Sequence, residues 1–177
     1  MKSEFFASRN RAQAISEAPI WDEIYQQAFP GFHAQVSHPS GEHWGQYAGI
    51  DRTVVLSSGA HITLDEKLRY SPYQDVLLEY WAVKEKHVPG WICLDLACDF
   101  IAYTILPLGT CYLLPFPLLR RAWHLNGETW KKNYRIITAQ NKDYTSESVA
   151  IPVKDLAIAL VGAMKLTFEP LEIKKVG

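Results

Sequence analysis

Cysteine is scarce in this chain. The three present, Cys93, Cys98 and Cys111, are odd in number and lack the paired spacing of a zinc site, so they predict reduced core thiols rather than a disulfide framework. No run reaches the length of about 18 apolar residues that a membrane span requires. The most apolar stretch, 100–119, is interrupted by Pro107, Gly109, Pro115 and Pro117. The opening MKSEFFASRN lacks the apolar core of a secretory leader, which leads to an expected cytoplasmic location without a membrane partner. Net charge is nearly absent, at −1, and speaks against a protein that coats nucleic acid by bulk charge. A local basic patch beside a bound cation is compatible with it. Internal repeats, low-complexity segments and domain linkers are also missing, so residues 1–177 are expected to form one domain, with 167–177 a flexible tail.

Aromatic residues are abundant: six Trp, nine Tyr and seven Phe in 177 residues, enough to fill a core, line a groove or face a partner. The most informative stretch is 47–69, YAGIDRTVVLSSGAHITLDEKLR. Two β-rich runs, 50–56 and 61–68, flank Ser57-Ser58-Gly59-Ala60, the pattern of a hairpin. Asp51 opens the first run, and Asp65-Glu66-Lys67 closes the second. With a strand period of two, Asp65 and Lys67 share one face and Glu66 takes the other. Two carboxylates and an ammonium on one patch of sheet form a site for a hard divalent cation and a polarised water.

Around the hairpin, residues 8–29 read as helix bent at Pro19, with Glu17, Asp22 and Glu23 as solvated charges. Residues 31–46 read as a loop carrying His33, His38 and His43, whose spacing does not favour a metal cluster. Residues 75–83 predict a third strand on which Asp75, Leu77, Glu79 and Trp81 share a face; Glu79 in this apolar run needs a cation, a metal or water. Strands are expected at 99–106, 111–115, 136–140 and 149–153, and helices at 118–135, whole or as two pieces meeting at Asn126-Gly127, and at 154–166. The 118–135 helix interleaves Arg120, Arg121, Lys131, Lys132 and Arg135 with Trp123, Trp130 and Tyr134, a pattern shared by nucleic-acid surfaces and by amphipathic helices with solvated cations.

A helix followed by a hairpin with Asp on one strand and Asp/Glu-x-Lys on the next resembles the PD-(D/E)XK nuclease superfamily. Restriction endonucleases, junction resolvases and phage exonucleases belong to it, and the likeness extends to phage and prophage chains. Gly49-Ile50-Asp51 matches its first motif, with Ile50 where Pro is common, and Asp65-Glu66-Lys67 matches its second, with thirteen residues between Asp51 and Asp65. The resemblance rests on about a quarter of the chain. It implies an α/β (α+β) fold with a restriction-endonuclease-like core, a central mixed β-sheet flanked by helices. It also implies a Mg²⁺- or Mn²⁺-dependent nuclease, a hydrolase of DNA or RNA phosphodiesters. The catalytic residues would be Asp51, Asp65, Lys67 and Glu79, the metal ligands Asp51 with Asp65 or Glu66, and the contacts to flanking phosphates Arg52, Arg69, Arg120 and Arg121. Many such nucleases pair two sites, which brings in a homodimer. The reading of a different class is a binding module on the same fold, without catalysis, that grips nucleic acid or protein. A third, with Tyr103, His124 or a loop histidine in a small-molecule enzyme, has no spacing to support it.

Overall fold

The computed structural model describes residues 19–38 and 48–160, together with the backbone of 164–167. The fold is mixed α/β, as the sequence predicts. Two sheets are stacked. The larger has six strands in the order β1-β2-β3-β6-β7-β10, and the smaller has four in the order β5-β4-β9-β8.

Helix α1 (Ile20–Ala28) starts behind Pro19 and buries Ile20, Trp21, Ile24, Tyr25 and Ala28. That stripe has helical period, so one face is apolar while Asp22 and Glu23 point to water. The chain then forms β1 (Phe32–Ser37), β2 (Arg52–Leu56) and β3 (His61–Arg69), an antiparallel meander. The β2–β3 turn falls at Ser57–Ala60 as expected, and Gly59 takes a left-handed φ of 85° there. Residues 32–37 were expected to be loop; they are instead an edge strand, its hydrogen bonds supplied by β2.

From β3 the chain crosses to the second sheet. Strand β4 (Asp75–Val83) pairs with β5 (Val88–Pro89) and with β9 (Thr145–Pro152), and β9 pairs with β8 (Ile136–Gln140), all antiparallel. It returns as β6 (Phe100–Ile105), parallel to β3, followed by β7 (Thr110–Pro115). Helix α2 (Phe116–Asn133) runs unbroken through Asn126-Gly127, and Gly127 lies buried under Trp123, where a Cβ would crowd the indole. Helix α3 (Val153–Ala159) is shorter than the predicted 154–166. Residues 164–167 form strand β10 (Met164–Thr167), paired with β7. The expected tail beyond 167, the His43 position and residues 8–18 with Glu17 lie outside the described residues.

The six-stranded sheet separates two cores. On one face Val54, Leu64, Ala102, Leu106, Cys111 and Leu113 meet α1. On the other, Ile101, Tyr103, Ile105, Tyr112 and Leu114 meet Val76, Leu78, Val149 and Ile151 of the small sheet, with Phe116, Leu119 and Trp123 of α2. The second face is thus covered by a sheet as well as by helices. No helix among the described residues is long and apolar enough to cross a membrane. Cys98 and Cys111 are buried core thiols as expected, whereas Cys93 is exposed.

Candidate functional site

The hairpin register brings the acids together. Arg52 pairs with Leu64 and Thr53 with Thr63, so one step further Asp51 stands across from Asp65. Two hydrogen bonds hold this end closed: Asp51 N–H donates to the Leu64 carbonyl at 2.9 Å, and Glu66 N–H donates to Asp51 Oδ2 at 2.8 Å. Gly49 turns the chain into Asp51 with φ 64°, and a Cβ there would press on the Leu96 side chain. On the other side of β3, Asp99 fixes the parallel β6. Its carboxylate accepts from Thr63 N–H at 2.8 Å and Thr63 Oγ1 at 2.9 Å.

Strand alternation sorts the Asp65-Glu66-Lys67 triplet as expected. Asp65 pairs with Ile101 and Lys67 with Tyr103, which belong to the inter-sheet core; Glu66 pairs with Ala102 beneath α1. Asp65 is only 3% exposed, and Lys67 Nζ donates to its Oδ1 at 2.6 Å. Burial pushes the Asp65 carboxyl up to about 7; the Lys67 charge opposes this, while the Asp51 carboxylate, within hydrogen-bond reach, adds to it. For Lys67, burial favours the neutral amine, but the charges and hydrogen bonding of Asp65, with Asp51 behind, outweigh it and raise its pKa. The ammonium also lies 5.9 Å from the Trp91 ring centroid. Buried Cys98 is close by: burial and the Asp65 charge lift its thiol to about 12, so it is an inert neighbour.

Lys67 opens onto a cleft of about 290 Å³ between the sheets, lined also by Arg69, Tyr70, Glu79, Trp91 and Tyr103. Glu79, on β4, comes within electrostatic reach of Lys67 across this cleft. Burial raises its pKa against the pull of the Lys67 charge and a hydrogen bond from the Trp91 backbone N–H. Gly90 makes that approach feasible, because a Cβ there would collide with the Glu79 carbonyl. Tyr103 OH accepts from Leu77 N–H at 3.0 Å, which ties β6 to β4 under the cleft.

Glu66 is placed elsewhere. It accepts from Arg52 Nε at 2.5 Å and from Tyr25 OH at 2.9 Å, on the α1 face. Asp65, not Glu66, therefore shares a face with Lys67. Arg52, expected to hold a phosphate, is 4% exposed and committed to Glu66, so it is unavailable to a nucleic-acid backbone. Arg69 does reach the cleft, while pairing with Asp75 at 3.0 Å. Arg120 pairs with Asp95 at 2.7 Å and Arg121 is exposed, both on α2 outside the lining of the cleft. Glu23 is exposed on α1. His33 lies on edge strand β1, His38 shares a 2.9 Å hydrogen bond with Thr53, and His124 is exposed on α2; none of these lines the cleft. Sequence reasoning missed Trp91, Cys98 and Tyr25 as neighbours of the triplet. Only the Pro89-Gly90-Trp91 turn carried a local signal.

Among the described residues, no three His, Cys, Asp or Glu side chains converge closely enough to hold a metal by themselves. Asp51 and Asp65 would supply two adjacent carboxylates to such an ion, with water at the remaining positions. That donor set suits Mg²⁺, which commonly takes one or two carboxylates and keeps several waters. Burial is the main cause of the raised Asp65 carboxyl, and the neighbouring Asp51 charge adds to it. No protein-family model, curated protein or solved structure matches the chain.

Proposed function

We propose that the protein is a divalent-metal-dependent nuclease of the PD-(D/E)XK type, cutting phosphodiester bonds of nucleic acid, DNA in the first place. The observation that carries this reading is the adjacency of the Asp51 and Asp65 carboxylates with Lys67 on the same sheet face, where Lys67 also lines a cleft. The order of helix, antiparallel meander and mixed sheet supports it. Three cysteines without a disulfide support action in a reducing, cytoplasmic compartment. A homodimer would suit double-strand cleavage by analogy with the superfamily.

In this reading Asp51 and Asp65 hold Mg²⁺ or Mn²⁺. When bound, the cation supplies Lewis-acid polarisation of a phosphoryl oxygen and lowers the pKa of a coordinated water. Lys67 stays protonated under the Asp65 charge, so it orients the attacking water and offsets negative charge developing on the phosphate. Glu79 faces Lys67 across the cleft and positions its ammonium or accepts a proton from water. Arg69, on the cleft wall, meets the flanking phosphate.

The binding-module reading is favoured by one feature, the close Asp65–Lys67 ion pair, which satisfies both charges without a metal. Calorimetric titration of Mn²⁺ separates the two. With a phosphorothioate oligonucleotide present, a nuclease takes up metal stoichiometrically in the wild type and not in Asp51→Ala. Absence of uptake in both, with the oligonucleotide bound, leaves a binding module.

A further inference from the structure

Tyr73 lies in the β3–β4 connection and shows 54% of its surface. The Arg69 and Arg135 guanidinium carbons each lie 5.6 Å from its ring centroid. Both cations are held in turn by Asp75. Arg69 Nη2 is 3.0 Å from Asp75 Oδ1, and Arg135 Nη2 is 4.0 Å from Oδ2. Asp75 is the first residue of β4, and its side chain is 13% exposed, so the anchor is part of the sheet. Two guanidinium charges against one carboxylate leave net positive charge, most of it on Arg135, whose side chain is 61% exposed.

An exposed aromatic ring bordered by two cations, with positive charge to spare, is the composition of a base-stacking platform with a phosphate contact. Arg69 joins the platform to the cleft, because it borders Tyr73 and lines the same cleft as Lys67 and Glu79. At about 290 Å³ the cleft is near the lower end of small-ligand pockets. A base inside a duplex has both faces stacked on its neighbours and cannot lie on Tyr73. We infer that Tyr73, Arg69 and Arg135 form a stacking platform for an unpaired base, and that the strand entering the Lys67 cleft is single-stranded. This rests on the nucleic-acid reading above and narrows its substrate class.

The test is fluorescence anisotropy of a labelled mixed-sequence single strand and of the same sequence as duplex, with the full chain in EDTA so that cleavage does not intervene. The wild type is expected to bind the single strand more tightly. Tyr73→Ala should weaken single-strand binding roughly tenfold or more, Tyr73→Trp should retain it, and Arg135→Glu should also weaken it. Equal or tighter duplex binding, no binding to either, or an unchanged Tyr73→Ala overturns the inference. Should Tyr73→Ala unfold, Arg135→Glu and Tyr73→Trp carry the test. Single-strand binding through Tyr73 in a protein that never cleaves would sink the nuclease reading alone. Metal-dependent duplex cleavage untouched by Tyr73→Ala would sink the platform alone.

Discussion

The carboxylate of Asp51 accepts the backbone N–H of Glu66 at 2.8 Å, so the first acid of the hairpin is fastened to the main chain of the strand that carries the second. Strand register sets Asp51 across from Asp65, and this bond holds its carboxylate there. The same bond leaves the Glu66 side chain to the other face, where Arg52 and Tyr25 hold it. One β-strand thus carries the Asp65–Lys67 pair on one face and the Glu66 contacts on the other at adjacent positions.

Asp65 makes the metal-free protein pH-sensitive. Its carboxyl sits at about 7 when folded, against 3.8 as its ordinary value. Below the ordinary value both folded and unfolded chains hold the proton. Between the two values the unfolded chain releases it while the folded chain keeps it, so stability falls as pH rises, by roughly 1.4 kcal/mol per unit for full linkage. Above about 7 the loss is complete. Thermal unfolding in EDTA should show Tm falling between pH 5 and about 7, and Asp65→Asn should flatten that slope while abolishing metal-dependent activity.

The Arg52–Glu66 pair is nearly closed to solvent on both sides, at 5% and 6% side-chain exposure. Removing one partner leaves the other charge buried. Arg52→Met or Glu66→Leu alone should cost about 3–5 kcal/mol in urea unfolding, whereas the double substitution should recover much of that loss. If Arg52 held a phosphate instead, Arg52→Met would weaken oligonucleotide binding and leave stability near wild type.

Gly90 is predicted to control Glu79. A methyl group at this position would collide with the Glu79 carbonyl and crowd its side chain. Gly90→Ala should shift β4 against the turn at Trp91, lower Tm and reduce turnover together. Glu79→Gln keeps the packing, so turnover should fall at unchanged Tm. Turnover unchanged in Glu79→Gln would remove Glu79 from the reacting centre.

The hairpin was legible in the sequence because its determinants are local: alternating Val, Thr, Ile and Leu, and a Ser-Gly turn between them. The sharing of a face by Asp65 and Lys67 followed from strand period alone. Which sheet receives β4 depends on pairing with β9, about 70 residues away in the chain, and no local pattern encodes that. Strand β1, FHAQVS, has weak alternation and exists because β2 offers it an edge. The apolar spacing of 154–166 fits a helix throughout, yet β7 captures its end as β10. Arg52 appeared basic and available because its partner Glu66 becomes visible only once β2 and β3 are in register.

Most directly, the account is tested by incubating labelled single-strand and duplex oligonucleotides with Mg²⁺ and the wild type, Asp51→Ala or Lys67→Ala. It predicts fragments from the wild type that disappear in EDTA, and a loss on the order of 100-fold or more in each variant at unchanged fold. Metal-dependent cleavage that survives both substitutions would contradict it.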